Sequence, residues 1–355
     1  MTNRDNSELG RLTRRQMLAG SATFAAAGVL GGPAFAQAKG EIIVANWGGD
    51  WGDRTARFFE TPIVEKAGYK VVRDLGAIDQ RRTKLLAARR LPRAAFDVSH
   101  LDDTDAYFMN TQGVLEELSD KDIPNLADVH EQIRAPYFIP WQFSGWVIGY
   151  NPDKVKEPPQ KFADLWNPKY AGMIGFTDNH WYHHMEMAAL VNGGDLTNIK
   201  NIKSALLDLK KATNPRLYPQ HLQQAQAFKN DEISIGPNYK SRIIQFASEG
   251  IKLTPVFPTE GTVSITFGAV IPKKAPNKEG ALFYGNALID PIGMAGLAQQ
   301  SFYAPANKKA VLPPDASKLI EFTEDERKKL RARENGFWAE NRASLLEWWN
   351  KDFKG

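Results

Sequence analysis

Short apolar runs, many of them β-branched, alternate along the chain with amphipathic segments, which is the pattern of an α/β protein. The clearest unit is residues 41–60, where the apolar run 42–44 leads into the turn NWGG and then into a segment that favours a helix. In an open α/β sheet such a turn lies at the carboxyl end of its strand, where ligands bind. The pattern therefore predicts a ligand-binding turn made of Trp47, Gly48, Gly49, Asp50 and Trp51.

Two structural roles remain open for this turn. An indole face attracts a cation or an apolar group, and the glycines allow the backbone to approach a ligand closely. In the alternative, Trp47 packs into the core, because large aromatic side chains are usually buried. Asp50 is expected to cap the helix that follows the turn.

The strand–turn–helix pattern recurs along the rest of the chain. Strands are predicted at residues 70–72, 95–101, 144–151, 172–177, 232–236, 252–258 and 262–271. Helices are predicted at residues 80–90, 106–112, 201–211, 222–230, 277–288, 323–333 and 335–349, and two more start at 178–184 and 237–242. The basic helix 80–90 is expected to present a solvated face, and strand 144–151 is expected to cross between two domains.

Further turns carry polar or aromatic side chains at strand ends. After strand 95–101, Asp102 and Asp103 suit either a helix cap or a ligand anchor, and both roles stay open. Arg242, together with Lys240, suits a carboxylate group, with a solvated helix face as the alternative. The remaining candidates at strand ends or on crossing strands are Ser144, Asp178, Asn179, Trp181, Tyr182, Asn238, Tyr239 and Phe267.

The N-terminal residues predict export. A twin-arginine element lies at 11–18, an apolar run follows at 19–30, and Ala34-Phe35-Ala36 supplies the small residues of a cleavage site. We therefore expect a signal peptide at 1–36, cleaved after Ala36, and a periplasmic protein. A membrane anchor or an amphipathic helix is the alternative, but the apolar run is short for a bilayer span. No later stretch approaches about 18 apolar residues, so the mature chain is not expected to insert into a membrane.

The composition narrows the possible functions. The chain has 355 residues and no cysteine, which excludes disulfides, thiolate metal sites and a cysteine nucleophile. With 45 basic and 41 acidic residues the formal net charge is +4, which is too near neutral to indicate nucleic-acid binding. The length that remains after removal of a signal peptide suits two compact domains.

Several segments resemble one protein family. They are FADLWNPKYAG at 162–172, TD at 177–178, IP at 271–272 and NKEGA at 277–281. With this order and spacing, the chain resembles the type II periplasmic solute-binding proteins of ABC importers, in the spermidine/putrescine-binding branch. The resemblance implies an α/β, two-lobed Venus-flytrap fold with crossover hinge strands, which closes on a ligand. It also implies a membrane permease as partner, a monomeric chain, no catalysis, and no cofactor or metal.

The resemblance also divides the chain into lobes. It implies lobe 1 at residues 37–140 and 272–310, lobe 2 at 141–271, and C-terminal helices at 311–355 that pack across both lobes. The polyamine pocket of the family is carried over only in part, since its two acidic anchors fall on Asn179 and Tyr182. Its tryptophan falls near Pro237, and its Trp-x-Asp element falls near Ile265 and Phe267. A small organic cation or a zwitterion with one ammonium suits the residues that remain, with a small organic carboxylate as the alternative.

Other functions have less support in the sequence. His180, His183 and His184 suggest a metal-dependent enzyme, but the glutamate spacing of a zinc protease is absent. A serine hydrolase is not indicated, because the sequence has no Gly-x-Ser-x-Gly motif. A ferric-ion binder of this fold uses adjacent tyrosines, whereas Tyr239 stands alone. An anion binder would use the helix N-termini at the same turns, but acidic residues at two of them disfavour a strongly anionic ligand.

Overall fold

The computed structural model describes residues 39–355, so the predicted signal peptide lies outside the described residues. The strands are β1 (Gly40–Asn46), β2 (Tyr69–Leu75), β3 (Val98–Asp102), β4 (Ile139–Tyr150), β5 (Gly175–Thr177), β6 (Arg216–Tyr218), β7 (Ile235–Tyr239), β8 (Thr254–Val256), β9 (Thr262–Val270), β10 (Ala304–Pro305) and β11 (Leu330–Arg331). The helices are α1 (Gly49–Thr55), α2 (Ile78–Ala87), α3 (Asp103–Thr111), α4 (Trp181–Val191), α5 (Ile199–Thr213), α6 (His221–Lys229), α7 (Lys240–Ser248), α8 (Lys278–Leu288), α9 (Pro291–Ser301), α10 (Pro314–Ile320), α11 (Glu324–Lys328) and α12 (Asn335–Trp348).

Shorter helical segments complete the fold. Segments of π-type geometry, Ala56–Glu65 and Trp349–Phe353, continue α1 and α12. Single 3₁₀ turns are Pro124–Asp128, Glu131–Ile133, Phe162–Trp166, Pro168–Tyr170 and Asp178–His180. In the part of the chain that the structure covers, none of the helices combines the length and the apolarity needed to cross a membrane.

A mixed sheet organises the molecule, with the strand order β10-β4-β9-β3-β1-β2. Strand β1 is parallel to β2 and β3, while β9 runs antiparallel to both β3 and β4. Beyond its pairing with β9, β4 pairs with β7 and β8, and Ile174 and Ile235 form a parallel bridge that brings β5 beside β7. Since β4 and β9 belong to both groups of strands, they are the crossover strands, and they join two α/β lobes.

We call lobe 1 the part built on β1–β3 with α1–α3, α8 and α9, and lobe 2 the part built on β5–β8 with α4–α7. Each lobe has its own core. Ile42, Phe59 and Trp141 are buried in the core of lobe 1, whereas Trp146 and Phe176 are buried in that of lobe 2. The two-lobed α/β class predicted from the sequence is thereby confirmed, while the residue boundaries given to the lobes stay a prediction.

The C-terminal segment contacts both lobes. Helix α12 packs on α3 of lobe 1, and its Trp338 joins the core of lobe 2, with the ring 5.8 Å from that of Trp181. The predicted helix 323–333 is wrong in its second half, because α11 ends at Lys328 and β11 then pairs in parallel with β9. A capping box between Thr323 and Glu326 starts α11, but pairing with a distant strand ends it, and an amphipathic pattern does not reveal such pairing.

Two other local predictions need correction. Residues 237–239 were expected to begin a helix, but they lie in β7, where Asn238 pairs with Val147 and Tyr239 with Trp146 of β4. The ladder with β4 prevails over the local sequence preference, and α7 begins only at Lys240. At α1 the N-cap is Gly48 with no side-chain hydrogen bond, so Asp50 does not cap the helix and lies instead in its first turn.

Candidate ligand-binding cleft

Three partly exposed aromatic side chains form a wall on lobe 1 where β1 ends and β9 passes. Gly48 has φ of +73°, and its N–H donates to Asn46 Oδ1 at 2.9 Å, so the chain turns sharply from β1 into α1. The ring of Trp47 lies 4.8 Å from that of Trp51, and the ring of Phe267 lies 6.2 and 5.2 Å from these two, all edge-to-face. We call Trp47, Trp51 and Phe267 the aromatic wall.

Arg81 lies behind this wall and was missed by the sequence analysis. Its side chain is 1% exposed, and its guanidinium carbon lies 4.1 Å from the Trp47 ring centroid. Burial lowers the pKa of Arg81 to about 10, although the nearby Asp105 and Asp102 act in the opposite direction. The prediction of a solvated face for helix 80–90 is therefore wrong at this residue. One face of Trp47 already binds a cation from the chain itself.

A buried chain of hydrogen bonds holds Trp51 in place. Trp51 Nε1 donates to His100 Nδ1 at 3.4 Å, which requires the proton of the neutral imidazole to be on Nε2. His100 Nε2 then donates to the hydroxyl of Tyr284 at 3.2 Å, and that hydroxyl donates to Glu60 Oε1 at 3.1 Å. Burial lowers the pKa of His100 to about 3, so the ring is neutral. Glu60 in turn pairs with Arg73, which closes the chain.

The turn after β3 supplies the carboxylates of lobe 1. Asp102 Oδ1 accepts from the backbone N–H of Asp105 at 2.8 Å and so caps α3, which fulfils one of the two roles left open. Asp103 accepts from the backbone N–H groups of Thr104 at 2.9 Å and Thr266 at 3.3 Å. Burial raises the pKa of Asp103 to about 7, against the opposing charge of Arg333. Asp102 therefore caps α3 and also lines the cleft.

Arg333 connects the two lobes, and it was also missed by the sequence analysis. Its Nε donates to Glu186 Oε1 on α4 at 2.7 Å, while Nη1 donates to Thr104 Oγ1 at 3.0 Å and lies 3.6 Å from Asp103 Oδ1. The guanidinium carbon also lies 5.0 Å from the ring centroid of Tyr182. No local pattern could have found this residue, because it follows β11 and reaches the cleft only through the pairing of β11 with β9.

Phenols and imidazoles form the lobe 2 side of the cleft. His183 Nδ1 donates to Glu186 Oε2 at 2.8 Å, so its Nε2 accepts from the hydroxyl of Tyr239 at 2.9 Å. The hydroxyl of Tyr182 lies 3.5 Å from that of Tyr239. Burial raises the pKa of Tyr182 to about 12 and that of Tyr239 well above its ordinary value, so both phenols are neutral. Trp146 of β4 stacks on His183 with 4.5 Å between ring centroids.

A small cavity lies where the two sides meet. Its volume is about 30 Å³, and its lining residues include Asp102 and Thr104 of lobe 1, Tyr182 of lobe 2, and Arg333. This volume accommodates about two water molecules and no organic solute. An organic solute therefore needs more room between these side chains than this cavity provides.

Several predicted site residues have other partners in the structure. Asp178 accepts from Trp349 Nε1 at 2.7 Å and from Lys354 Nζ at 2.6 Å, so the C-terminal segment holds it. Trp181 is 5% exposed and packs in the core of lobe 2, so the structure places it among core residues rather than in the cleft. Asp50 and Asn179 are exposed, whereas Ser144 and Asn238 are buried in hydrogen bonds within lobe 2.

The histidine cluster is packed rather than arranged around a metal. His184 Nε2 donates to the carbonyl of Thr177 at 3.1 Å, and its ring stacks on Phe176 at 3.9 Å. His183 is engaged by Glu186, and His180 Nδ1 lies 2.8 Å from Asn179 Oδ1. Within residues 39–355, no group of three or more His, Cys, Asp or Glu side chains is placed to hold a metal ion.

Two α/β lobes joined by crossover strands, with polar and aromatic turns facing each other between them, define a two-lobed ligand-binding protein. Residues 59–324 match the profile of the family described as bacterial extracellular solute-binding protein. The chain belongs to this family, and the family assignment made from the sequence is confirmed.

Named relatives agree with this assignment. The spermidine/putrescine-binding periplasmic protein of Escherichia coli is 26% identical over 220 residues, which cover 59% of this chain and 63% of that protein. The match thus spans less than two thirds of that relative. The gamma-aminobutyric acid-binding protein of Pseudomonas aeruginosa is 23% identical over 339 residues, which cover 89% of this chain and 92% of that protein.

A solved structure has the same fold. An ABC transporter substrate-binding protein from Bradyrhizobium japonicum superimposes with a TM-score of 0.76 at 21% identity, covering 89% of this chain and all of that chain. At this level of identity the match supports the fold alone.

Proposed function

We propose that this protein is the periplasmic solute-binding component of an ABC importer and that it captures a small organic cation or zwitterion between its two lobes. It delivers the solute to the membrane permease of the importer, acts as a monomer, and catalyses no reaction. The twin-arginine element and the small residues before position 37 support export to the periplasm with cleavage after Ala36.

The aromatic wall of lobe 1 is the observation that carries this proposal. Its rings offer faces and edges where β1 ends and β9 passes, with one face of Trp47 occupied by the guanidinium of Arg81. Each aromatic face attracts a cation by about 0.5–2 kcal/mol. Asp102, in the next turn of the same lobe, adds a carboxylate that balances the charge of an ammonium group.

The names of two relatives favour the same ligand class. One relative is described as binding spermidine and putrescine, and another as binding gamma-aminobutyric acid. These compounds share an ammonium group on a short flexible chain. We extend to this chain only that shared feature, because the acidic anchors of the polyamine branch correspond to Asn179 and Tyr182 here.

Calorimetric titration of the purified exported protein tests the proposal. The probes are putrescine, spermidine, 4-aminobutyrate, glycine betaine and succinate. We expect at least one amine or quaternary amine to bind, and scattering with that solute should show a smaller radius of gyration. Binding of succinate alone, or of no probe, would contradict the proposal.

The variant Trp47→Ala links binding to the wall. It should lower the affinity for an amine by about tenfold, which corresponds to the loss of one aromatic contact of roughly 1.4 kcal/mol. Trp348→Ala is the matched control, because Trp348 is a half-buried tryptophan of α12 that packs beside Phe353 and away from the wall. Equal losses of affinity in the two variants would contradict a contact between the aromatic wall and the bound amine.

A further inference from the structure

Three strand-to-helix connections of lobe 2 bring basic side chains together. His180 directly precedes α4, His221 begins α6, and Arg242 lies in the first turn of α7. The rings of His180 and His221 are 4.3 Å apart, and they lie 5.1 and 5.8 Å from the ring of Tyr239. Cation binding at the aromatic wall uses none of these three basic side chains.

Hydrogen bonds fix the tautomer of His221. Gln224 Nε2 donates to the carbonyl of Gly175 at 2.8 Å, so its Oε1 accepts from Asn238 Nδ2 at 2.7 Å. Asn238 Oδ1 accepts from the backbone N–H of Tyr239 at 2.7 Å, and Asn238 Nδ2 also donates to His221 Nδ1 at 3.0 Å. Because Nδ1 accepts, the neutral ring carries its proton on Nε2, and nothing in residues 39–355 accepts that proton.

Arg242 also has a donor without a hydrogen-bond partner in the part of the chain that the structure describes. Its Nη1 donates to Gln245 Oε1, but its Nε is buried without a hydrogen-bond partner among the residues that the structure covers. His180 is itself only 9% exposed. Arg242 Nε is therefore an unmatched buried donor, which is costly unless a ligand satisfies it. The partly exposed His221 offers its Nε2–H beside the nearly buried ring of His180.

The electrostatics of this cluster favour an anion. Burial, and then the charge of Arg242, lower the pKa of His221 to about 3. Burial and the neighbouring basic groups lower the pKa of His180 well below its ordinary value. Both rings are therefore neutral at neutral pH, and Arg242 carries the positive charge of the cluster. Three helix N-termini, of α4, α6 and α7, add positive dipole ends to the same place.

The acidic residue of this turn does not neutralise the cluster. Asp178 was the reason to disfavour an anion at this end of the cleft. Its two carboxylate oxygens are instead bound by Trp349 Nε1 and Lys354 Nζ of the C-terminal segment. The basic cluster therefore has no carboxylate from its own turn, and that objection does not apply.

We propose that His221 and Arg242, packed beside the ring of His180, form a carboxylate-binding subsite on the lobe 2 side of the cleft. This inference rests on the proposed function and deepens it, because the solute is then a zwitterion whose ammonium lies at the aromatic wall and whose carboxylate lies at this subsite. Arginine can bind a carboxylate in bidentate fashion, and the imidazole Nε2–H adds a third donor.

We take the solute to be an ω-amino acid with a short chain, because a tyrosine ring adjoins each of the two ends. The ring of Tyr239 lies 5.1 and 5.8 Å from the two imidazoles, and the ring of Tyr303 lies 5.5 Å from Phe267 of the wall. Phenol rings thus offer apolar surface to the methylene groups of a short chain at both ends.

A matched set of four-carbon probes tests the two ends separately. The set is 4-aminobutyrate, putrescine, butylamine and butyrate, titrated by calorimetry. We expect 4-aminobutyrate to bind at least about tenfold more tightly than putrescine or butylamine. Arg242→Gln should reduce binding of 4-aminobutyrate by about tenfold or more while changing butylamine by less than about twofold, since a hydrogen bond to a charged group is lost only for the carboxylate.

Two further variants extend the test. One distinguishes the charge of Arg242 from its bidentate geometry, and the other controls for the loss of any arginine from lobe 2. Arg242→Lys should recover part of the affinity for 4-aminobutyrate, because it restores the charge without the bidentate geometry. Arg216→Gln is the matched control, since Arg216 is an exposed arginine of the same lobe that donates to the carbonyl of Glu232. It should leave all four affinities unchanged.

A direct probe does not depend on the choice of solute. Acetate is titrated into the ¹⁵N-histidine-labelled protein, and the signals of its six histidines are followed by NMR. We expect His221 Nε2 to shift in the wild type and not in Arg242→Gln. If amines bind but 4-aminobutyrate is not preferred and acetate moves no signal, the subsite is refuted while the proposed function stands. If acetate shifts His221 but no amine binds, the proposed function fails and the carboxylate subsite alone remains.

Discussion

The two sides of the cleft are built from the same strand–turn–helix unit but carry opposite chemistry. On lobe 1, the turns after β1 and β3 present indoles and carboxylates. On lobe 2, the starts of α4, α6 and α7 present imidazoles, phenols and a guanidinium. Topology thus determines where a ligand-facing residue lies, whereas the side chains and their distant partners determine what it can bind.

The carboxylates show the contrast most clearly. Asp102 and Asp103 stay beside the cleft, because their hydrogen bonds are to the backbone of their own turn and of β9. Asp178 occupies the equivalent turn of lobe 2, but Trp349 and Lys354 bind it. The same residue type in the same kind of turn is therefore available to a solute in one lobe and engaged elsewhere in the other.

The largest effect on stability is expected from removing the ion pairs that Arg333 forms with both lobes. Arg333→Met leaves Glu186 and Asp103 without their shared cation in a buried position, so we expect a loss of about 3–5 kcal/mol in the free energy of unfolding. Urea unfolding measures it. Arg342→Met is the control, because Arg342 also lies over the Tyr182 ring but is more exposed, and it should cost less than about 1 kcal/mol. Similar losses in both variants would contradict the buried role.

The next largest effect on stability distinguishes Trp181, in the core of lobe 2, from Trp47, in the aromatic wall. Trp181→Ala empties space in the core of lobe 2 and should cost about 3–5 kcal/mol of stability. Its effect on solute affinity should be less than about twofold, in contrast to that of Trp47→Ala. Thermal unfolding and calorimetric titration of both variants test this division. If the Trp181 variant has normal stability but binds solute poorly, Trp181 contacts the solute and is not a packing residue of the core.

A smaller effect concerns the buried neutral imidazoles. The pKa of His184 is lowered to about 3 by burial, against about 6.5 in the unfolded chain. Between these values the unfolded state binds more protons, so stability falls as the pH falls through this window, by up to about 1.4 kcal/mol per pH unit for this ring.

His184→Phe keeps the stack on Phe176 and removes the titrating group. The variant should therefore lose stability less steeply between about pH 6.5 and about pH 4. Unfolding free energies at several pH values give the slope. An unchanged slope would show that His184 is not buried as a neutral ring.

The smallest effect is expected at Asp50. Its side chain is 88% exposed and lies 3.5 Å from Arg54 four residues later, a pair worth less than about 0.5 kcal/mol. Asp50→Asn should leave both stability and amine affinity nearly unchanged. A marked loss of affinity would place this carboxylate in the cleft, as the sequence predicted, and would enlarge the lobe 1 side of the comparison.

Sequence reasoning succeeded where the relevant information is local. The turns at Trp47, Asp102 and Tyr182 follow buried strands, and their position at strand ends could be predicted from hydrophobic pattern alone. It failed where a residue's environment depends on distant pairing. Arg81 is buried by its stacking on Trp47, and Arg333 reaches the cleft through β11, so a basic or amphipathic pattern could not distinguish them from solvated residues.

Arg333 belongs to neither lobe by sequence position, yet its guanidinium is bonded to both. Ion pairs from one guanidinium to both lobes stabilise the arrangement in which the lobes lie together. A solute then spends less of its binding free energy on drawing the lobes together, so modest contacts suffice for tight capture. The same desolvated pair must be rehydrated when the lobes part. We therefore expect the C-terminal segment, rather than the cleft alone, to set how fast the solute is released.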